Sequence, residues 1–189
     1  NYQARDLTRE QAFKKGLIKD ITRIIVKLII HESISSPTLS LKLGIRDATA
    51  FAETFPIVGQ ETIRIITLED NMHGDKEVEK EAFFYVTRYP KFGKIGSENI
   101  STYTLEGISR HAYESGFKKI SRGYSNPSIS EIRKILVNDL NVSEENLNFQ
   151  GEDVSKSKGV INLQTPMSAI EFFRKNAFTS EGSPFLLFQ

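Results

Sequence analysis

Residues 21–32, ITRIIVKLIIHE, decide how this chain is read. They are β-branched and mostly alternate, placing Ile24, Val26, Leu28 and Ile30 on one face of a strand. The opposite face carries Arg23, Lys27 and His31, but also Ile25 and Ile29. A strand with one full apolar face and one half-apolar face needs cover on both sides, which is a first sign of assembly.

Working outward, Ser33 to Pro37 is a turn, and Leu39, Leu41, Leu43 and Ile45 then alternate with Thr38, Ser40, Lys42 and Arg46 in a second strand. Asp47 is placed to cap a short helical turn over 48–54, which stops before Pro56. Further strands are expected at 61–68, 81–89 and 99–105. Short strands joined by turns have the rhythm of a small antiparallel β-barrel or sandwich, and we assign 21–105 to such a barrel. The polar residues 1–20 form an arm ahead of it.

From residue 106 the pattern becomes α+β. Ser128-Ile129-Ser130-Glu131 fits a capping box, followed by Ile129, Ile132, Leu136 and Leu140 at helical spacing. A second helix begins at Thr165-Pro166, with Ile170, Phe173 and Ala177 as its buried stripe. Extended pieces at 117–124, 160–163 and 185–188 surround these helices. The fold class is therefore α+β: a small antiparallel β-barrel over 21–105, then an α+β unit over 106–189 that continues beyond the chain end. The N-terminus lacks an initiating Met and a signal pattern, so the chain reads as part of a longer product.

The 189 residues are 39% hydrophobic and 26% charged, with a formal net charge of +1, which excludes collagen-like and wholly disordered classes. The most apolar run, 24–30, is broken by Lys27 and is too short to cross a bilayer. With no Cys there is no disulfide framework and no thiolate nucleophile.

Signatures of catalysis are weak. His31-Glu32 opens like a zinc-protease helix, but position 35 is Ser and the segment reads as a strand. The 91–97 loop, KFGKIGS, lacks the order of a phosphate-binding loop, and Ser109 beside His111 gives no nucleophile–base geometry. Residues 69–81 set six carboxylates against two lysines, whereas residues 110–134 set six cations against two carboxylates. Sectors of opposite sign can match one copy of a chain against the next. No catalytic, metal or cofactor residue is assigned, and the chain reads as non-enzymatic. The assigned contact residues are Ile25, Ile29, Phe83 and Tyr85, opposite the better core face, with Lys118, Lys119 and Arg122 from the basic sector. Either sister copies or the second unit of the same chain could cover the apolar four.

The order of several motifs resembles a known family. The run 21–67, with Ser33-Ile34-Ser35-Ser36-Pro37, Asp47 and Pro56-Ile57-Val58-Gly59-Gln60-Glu61, looks like the opening domain of the baseplate central hub proteins of T-even-like, contractile-tailed phages. The similarity continues through Phe83-Phe84-Tyr85-Val86, Tyr103-Thr104-Leu105, Ile120-Ser121-Arg122-Gly123-Tyr124 and Thr165-Pro166 to 185–188. What this resemblance implies is a trimeric virion protein on the tail axis, joining tail tube to central spike. Its partners would be itself, a tail-tube or baseplate wedge protein and the spike, with no membrane and no specific nucleic acid. It would sit in the tail baseplate after assembly in the host cytoplasm. Subunits of that family carry two barrels, and this sequence has room for one. Two other readings stay open at this point: a tail-associated cell-wall hydrolase using the acidic segment, and a secretion-system spike adaptor.

Overall fold

The computed structural model describes residues 18–34, 36–55, 57–59, 61–69, 78–88, 93–94, 100–156 and 158–187. Most of the expected arm (1–17), the centre of the acidic segment (70–77) and most of the 91–97 loop lie outside these residues.

A 3-10 turn, Thr22–Ile24, leads into β1 (Ile25–Ser33), which turns back as β2 (Ser36–Asp47). A single helical turn, α1 (Phe51–Thr54), precedes β3 (Thr62–Glu69) and β4 (Val78–Arg88). The two-residue β5 (Gly93–Lys94) and β6 (Ser101–Ser109) complete the sheet. Its order is β1-β2-β6-β4-β3, every pairing is antiparallel, and β5 pairs with β6. The sheet curls into a half-barrel, and among the described residues β1 and β3 are its two edges.

Alternation decides the core face. Leu41, Leu43 and Ile45 of β2, Phe84 and Val86 of β4, and Tyr103 and Leu105 of β6 are all buried. The register sets Leu43 opposite Leu105 and Ile45 opposite Tyr103, so these side chains stack across one face. The fifth expected strand runs on to Ser109, because residues 105, 107 and 109 keep the buried alternation. Gly107, opposite both Leu41 and Val86, is required by packing: a Cβ there would lie 2.9 Å from the Tyr85 carbonyl oxygen and 3.3 Å from the Phe84 Cβ.

The rest is α+β, as expected. Helix α2 (Arg110–Gly116), which the sequence reading missed, leaves β6 directly and lies against β2, β4 and β6. Strands β7 (Ile120–Tyr124) and β8 (Gly159–Gln164) pair as a two-stranded sheet. Helix α3 (Ser128–Lys134) continues into a π turn (Ile135–Asp139), and α4 (Pro166–Asn176) packs on it. The expected stripes Ile132, Leu136, Leu140 and Ile170, Phe173 are buried together with Ile120, Ile135, Ile161 and Ala169 in a second core. Residues 185–187 are not in a strand.

The start of α4 follows expectation, with Pro166 at the first helical position and the Ser168 N–H donating to Thr165 Oγ1 at 3.3 Å. The start of α3 does not. Pro127, held extended at φ −51, ψ 147, occupies the cap position and places Ser128 inside the helix, so the Ser128–Glu131 capping box never forms. Side chains from a distant loop satisfy the open donors: Ser128 N–H donates to Ser155 Oγ at 3.0 Å and Ile129 N–H to Asp153 Oδ2 at 2.8 Å. Glu131 turns instead to Asn126 Nδ2 at 2.6 Å and Lys134 Nζ at 3.0 Å.

Replacing Gly107 with Ala forces β4 and β6 apart, and we expect a loss of about 1–3 kcal/mol in urea unfolding. Gly116→Ala, where a Cβ meets nothing within 4 Å, serves as the neutral control.

Candidate assembly interface

The β1–β2 register shows what alternation alone misplaced. Leu28 lies opposite Leu43 and Ile30 opposite Leu41, on the core face, while Lys27, Ile29 and His31 lie opposite Gly44, Lys42 and Ser40 on the outer face. The ladder is irregular between Ile25 and Lys27, and this bulge shifts the phase by one residue. Ile25 therefore sits opposite Ile45 and packs on the half-barrel core with Ile21 and Ile24, rather than facing outward with Ile29. Its neighbour Val26 is thrown outward.

Among the described residues neither face of β1 beyond Ile25 is fully covered. Val26 is 65% exposed, Leu28 45%, Ile30 40% and Ile29 39%, so the most apolar strand in the chain lies open on both sides at an edge of the sheet. Burying an aliphatic side chain of this size contributes roughly 1.5–3 kcal/mol, so a partner that covers these residues gains several such increments.

The other expected contact residues do not gather there. Phe83 is exposed on the outer face of β4, with the Arg64 guanidinium 6.0 Å from its ring centre and Arg64 paired with Glu81. Between it and Ile29 run β2 and β6, where Glu106 pairs with Lys42 at 3.3 Å and Arg88 at 2.9 Å. Tyr85 is covered from within the chain: Tyr113 of α2 stacks on it at 4.6 Å with the rings 4° from parallel. Lys118 donates to the Asp139 carbonyl, and Arg122 forms an ion pair with the Asp139 carboxylate at 2.9 Å. These two cations fasten β7 and the turn before it to the π turn, leaving Lys119 as the exposed one of the three.

The described motif residues between 47 and 61 add Ile57 and Ala52 to the core of the half-barrel. Asp47, buried at the end of β2, accepts from Thr49 N–H and Thr49 Oγ1, both at 2.9 Å, and from Ala52 N–H at 3.1 Å. Burial pushes its carboxyl up, but the N–H donors of Phe51, Thr49 and Ala52 and the Thr49 hydroxyl outweigh this and hold it below the ordinary 3.8. The adjacent Tyr103 phenol is pushed up to about 12, by burial first and then by the Asp47 charge and hydrogen bond. At the far end Glu61 clasps Val58 N–H at 2.7 Å and Gly59 N–H at 2.9 Å, with Gly59 at φ 89, a conformation that favours glycine. Between these two carboxylates Ile57 is driven into the core beside Ile24 and Ile25, while Val58 points outward. Asp47 was legible as a cap. The roles of Glu61 and Tyr103 were not, because each depends on a contact that only folding creates.

Among the described residues no three His, Cys, Asp or Glu side chains converge as a metal site. Ser109 is buried in β6 and its hydroxyl has no hydrogen-bond partner among the described residues, while burial lowers the pKa of the half-buried His111 of α2.

Because the Asp47 pKa is depressed in the folded state, its stabilising contribution is present above 3.8 and is lost as pH falls through the lower folded value. We expect Asp47→Ala to cost about 1–3 kcal/mol at neutral pH, with the gap to the parent narrowing below about pH 4, in urea titrations at both pH values. Charge reversal separates the cations: Arg122→Glu leaves Asp139 facing a like charge and lowers the melting temperature, whereas Lys119→Glu leaves it within about 2 °C.

Comparison with family models finds no match, and no curated protein matches the chain.

Proposed function

We propose that this chain is a structural, non-enzymatic subunit of a contractile-tail baseplate hub, a virion protein that self-associates as a trimer and joins the tail tube to the central spike. One observation carries the self-association: among the described residues β1, apolar on both faces, is an open edge strand with Val26, Leu28, Ile29 and Ile30 each at least 39% exposed. A chain that functioned alone would leave this as an aggregation hazard, and natural sheets blunt such edges with charge or Pro. Here Lys27 is the one charge between Ile25 and Ile30.

The order of motifs over 21–67 favours the hub reading over other ring-forming proteins. In the assembled state the half-barrel would be completed as part of the tube, and the α+β unit would support contacts with a tail-tube or wedge protein and the spike. Two carboxylates holding the 47–61 segment suit this role, since they give the barrel a rigid end without any reactive group.

Native mass measured by light scattering is expected at three times the 21.4 kDa chain mass. Leu28→Glu is expected to weaken association at least 100-fold, about 2.7 kcal/mol, while leaving the circular dichroism spectrum unchanged. A parent chain that stays strictly monomeric at micromolar concentration overturns the proposal.

A further inference from the structure

We infer that the open β1 edge is completed by the β3 edge of a second copy of this chain, with the two strands parallel. This rests on the self-association proposed above and names the element of the partner copy that meets β1.

The sheet offers two edges, and they match. Among the described residues the backbone of 25–30 has no strand beyond it on the side away from β2, and that of 62–66 none on the side away from β4. Such edges present a row of N–H and C=O groups that template another strand. The strands have 9 and 8 residues. Both carry apolar side chains that are not fully covered among the described residues: the exposed Val26, Leu28, Ile29 and Ile30 on β1, and the half-buried Ile65 and Ile66 on β3. Within this path β2, β6 and β4 each have a strand on both sides, while β7 and β8 form a separate two-stranded sheet.

Topology sets the polarity. From β1 through β2, β6 and β4 to β3 the chain direction reverses at each antiparallel step, so β1 and β3 run the same way. Rotation about an axis along the strands preserves direction, so the β3 of the next copy arrives parallel to β1. Two different edges meeting head to tail generate a ring when the rotation closes.

Pairing β1 with the β1 of a second copy fits less well. A two-fold axis through Ile29 would set Lys27 of one copy opposite His31 of the other on the outer face, two basic groups, and would leave both β3 edges open. Its product would be a closed dimer.

The absence of Cys from the sequence makes the test clean, because any disulfide comes from introduced residues. Ile66→Cys is combined in turn with Lys27→Cys, Ile29→Cys and His31→Cys. These positions share the outer face at two-residue steps and so scan the register. After oxidation of the native protein, a non-reducing denaturing gel is expected to show multimers for one of the three double variants and monomer for every single variant. Moving both cysteines of the productive pair two residues in the same direction, toward the N-terminus from Ile29 or His31 and toward the C-terminus from Lys27 so that the bulge at Ile25–Lys27 is not crossed, retains the cross-link for parallel strands and abolishes it for antiparallel ones.

The inference is overturned by a dimer from Ile29→Cys alone, by a disulfide that closes within one chain, by antiparallel polarity, or by no cross-link in any pair. Native mass on the same samples separates the two levels. Assemblies that persist without cross-links sink only the β1–β3 pairing, whereas strict monomers sink the self-association reading as well.

Discussion

In the β2–β6 ladder Leu43 lies opposite Leu105 and Ile45 opposite Tyr103, and this register determines which face of every other strand is core. Side-chain direction has a period of two, so a slip of one residue would send Leu41, Leu43 and Ile45 outward and bring Lys42 and Arg46 inward. The same register aligns β1 through β2 and β4 through β6. Gly107 shows how tight the arrangement is, since even a methyl group there would press on the Tyr85 carbonyl. The buried side chains then define two cores, one inside the half-barrel and one beneath β7 and β8, with α2 lying against the sheet and touching α4.

Local hydrogen bonding finishes what burial begins. Asp47 and Glu61 bracket the segment that carries Ile57 into the half-barrel core, and Asp153 with Ser155 does the equivalent work at the start of α3. In each case a carboxylate or hydroxyl takes backbone donors that the local turn leaves open, and where the donor is buried, as at Ser128 N–H, leaving it unmet would cost about 1–3 kcal/mol. Large apolar side chains are also exposed elsewhere, among them Phe117, Val160 and Leu163, but β1 is where four of them, Val26, Leu28, Ile29 and Ile30, adjoin on one strand.

Much of this was legible in the residues. The alternation of β2, the amphipathic stripes of α3 and α4, the Thr165-Pro166 start and the capping role of Asp47 all rest on interactions within a few positions, where side-chain chemistry dictates geometry. Ile25 was misassigned because a bulge breaks the two-residue period at Val26, and nothing in a run of β-branched residues marks where the phase will shift. The Ser128 capping box failed for a related reason: a loop about 25 residues away offered better acceptors once Pro127 had moved the helix start. Of the expected contact residues, Tyr85, Lys118 and Arg122 turned out to be engaged inside the chain by Tyr113 and Asp139, partners that sequence distance conceals.

The sequence by itself determined the composition of the surfaces: an aliphatic strand too greasy for a single buried face, strands in hairpin rhythm followed by helices, and no thiol chemistry. Only the tertiary structure decided that this strand lies at an edge instead of inside the sheet, and which of its side chains remain in water. Periodicity is a property of neighbouring residues and is written in the chain, whereas strand order and exposure depend on contacts between distant segments. Those contacts follow from the packing of the whole molecule, in which β6 crosses over to take the place beside β2 and leaves β1 with one neighbour among the described strands.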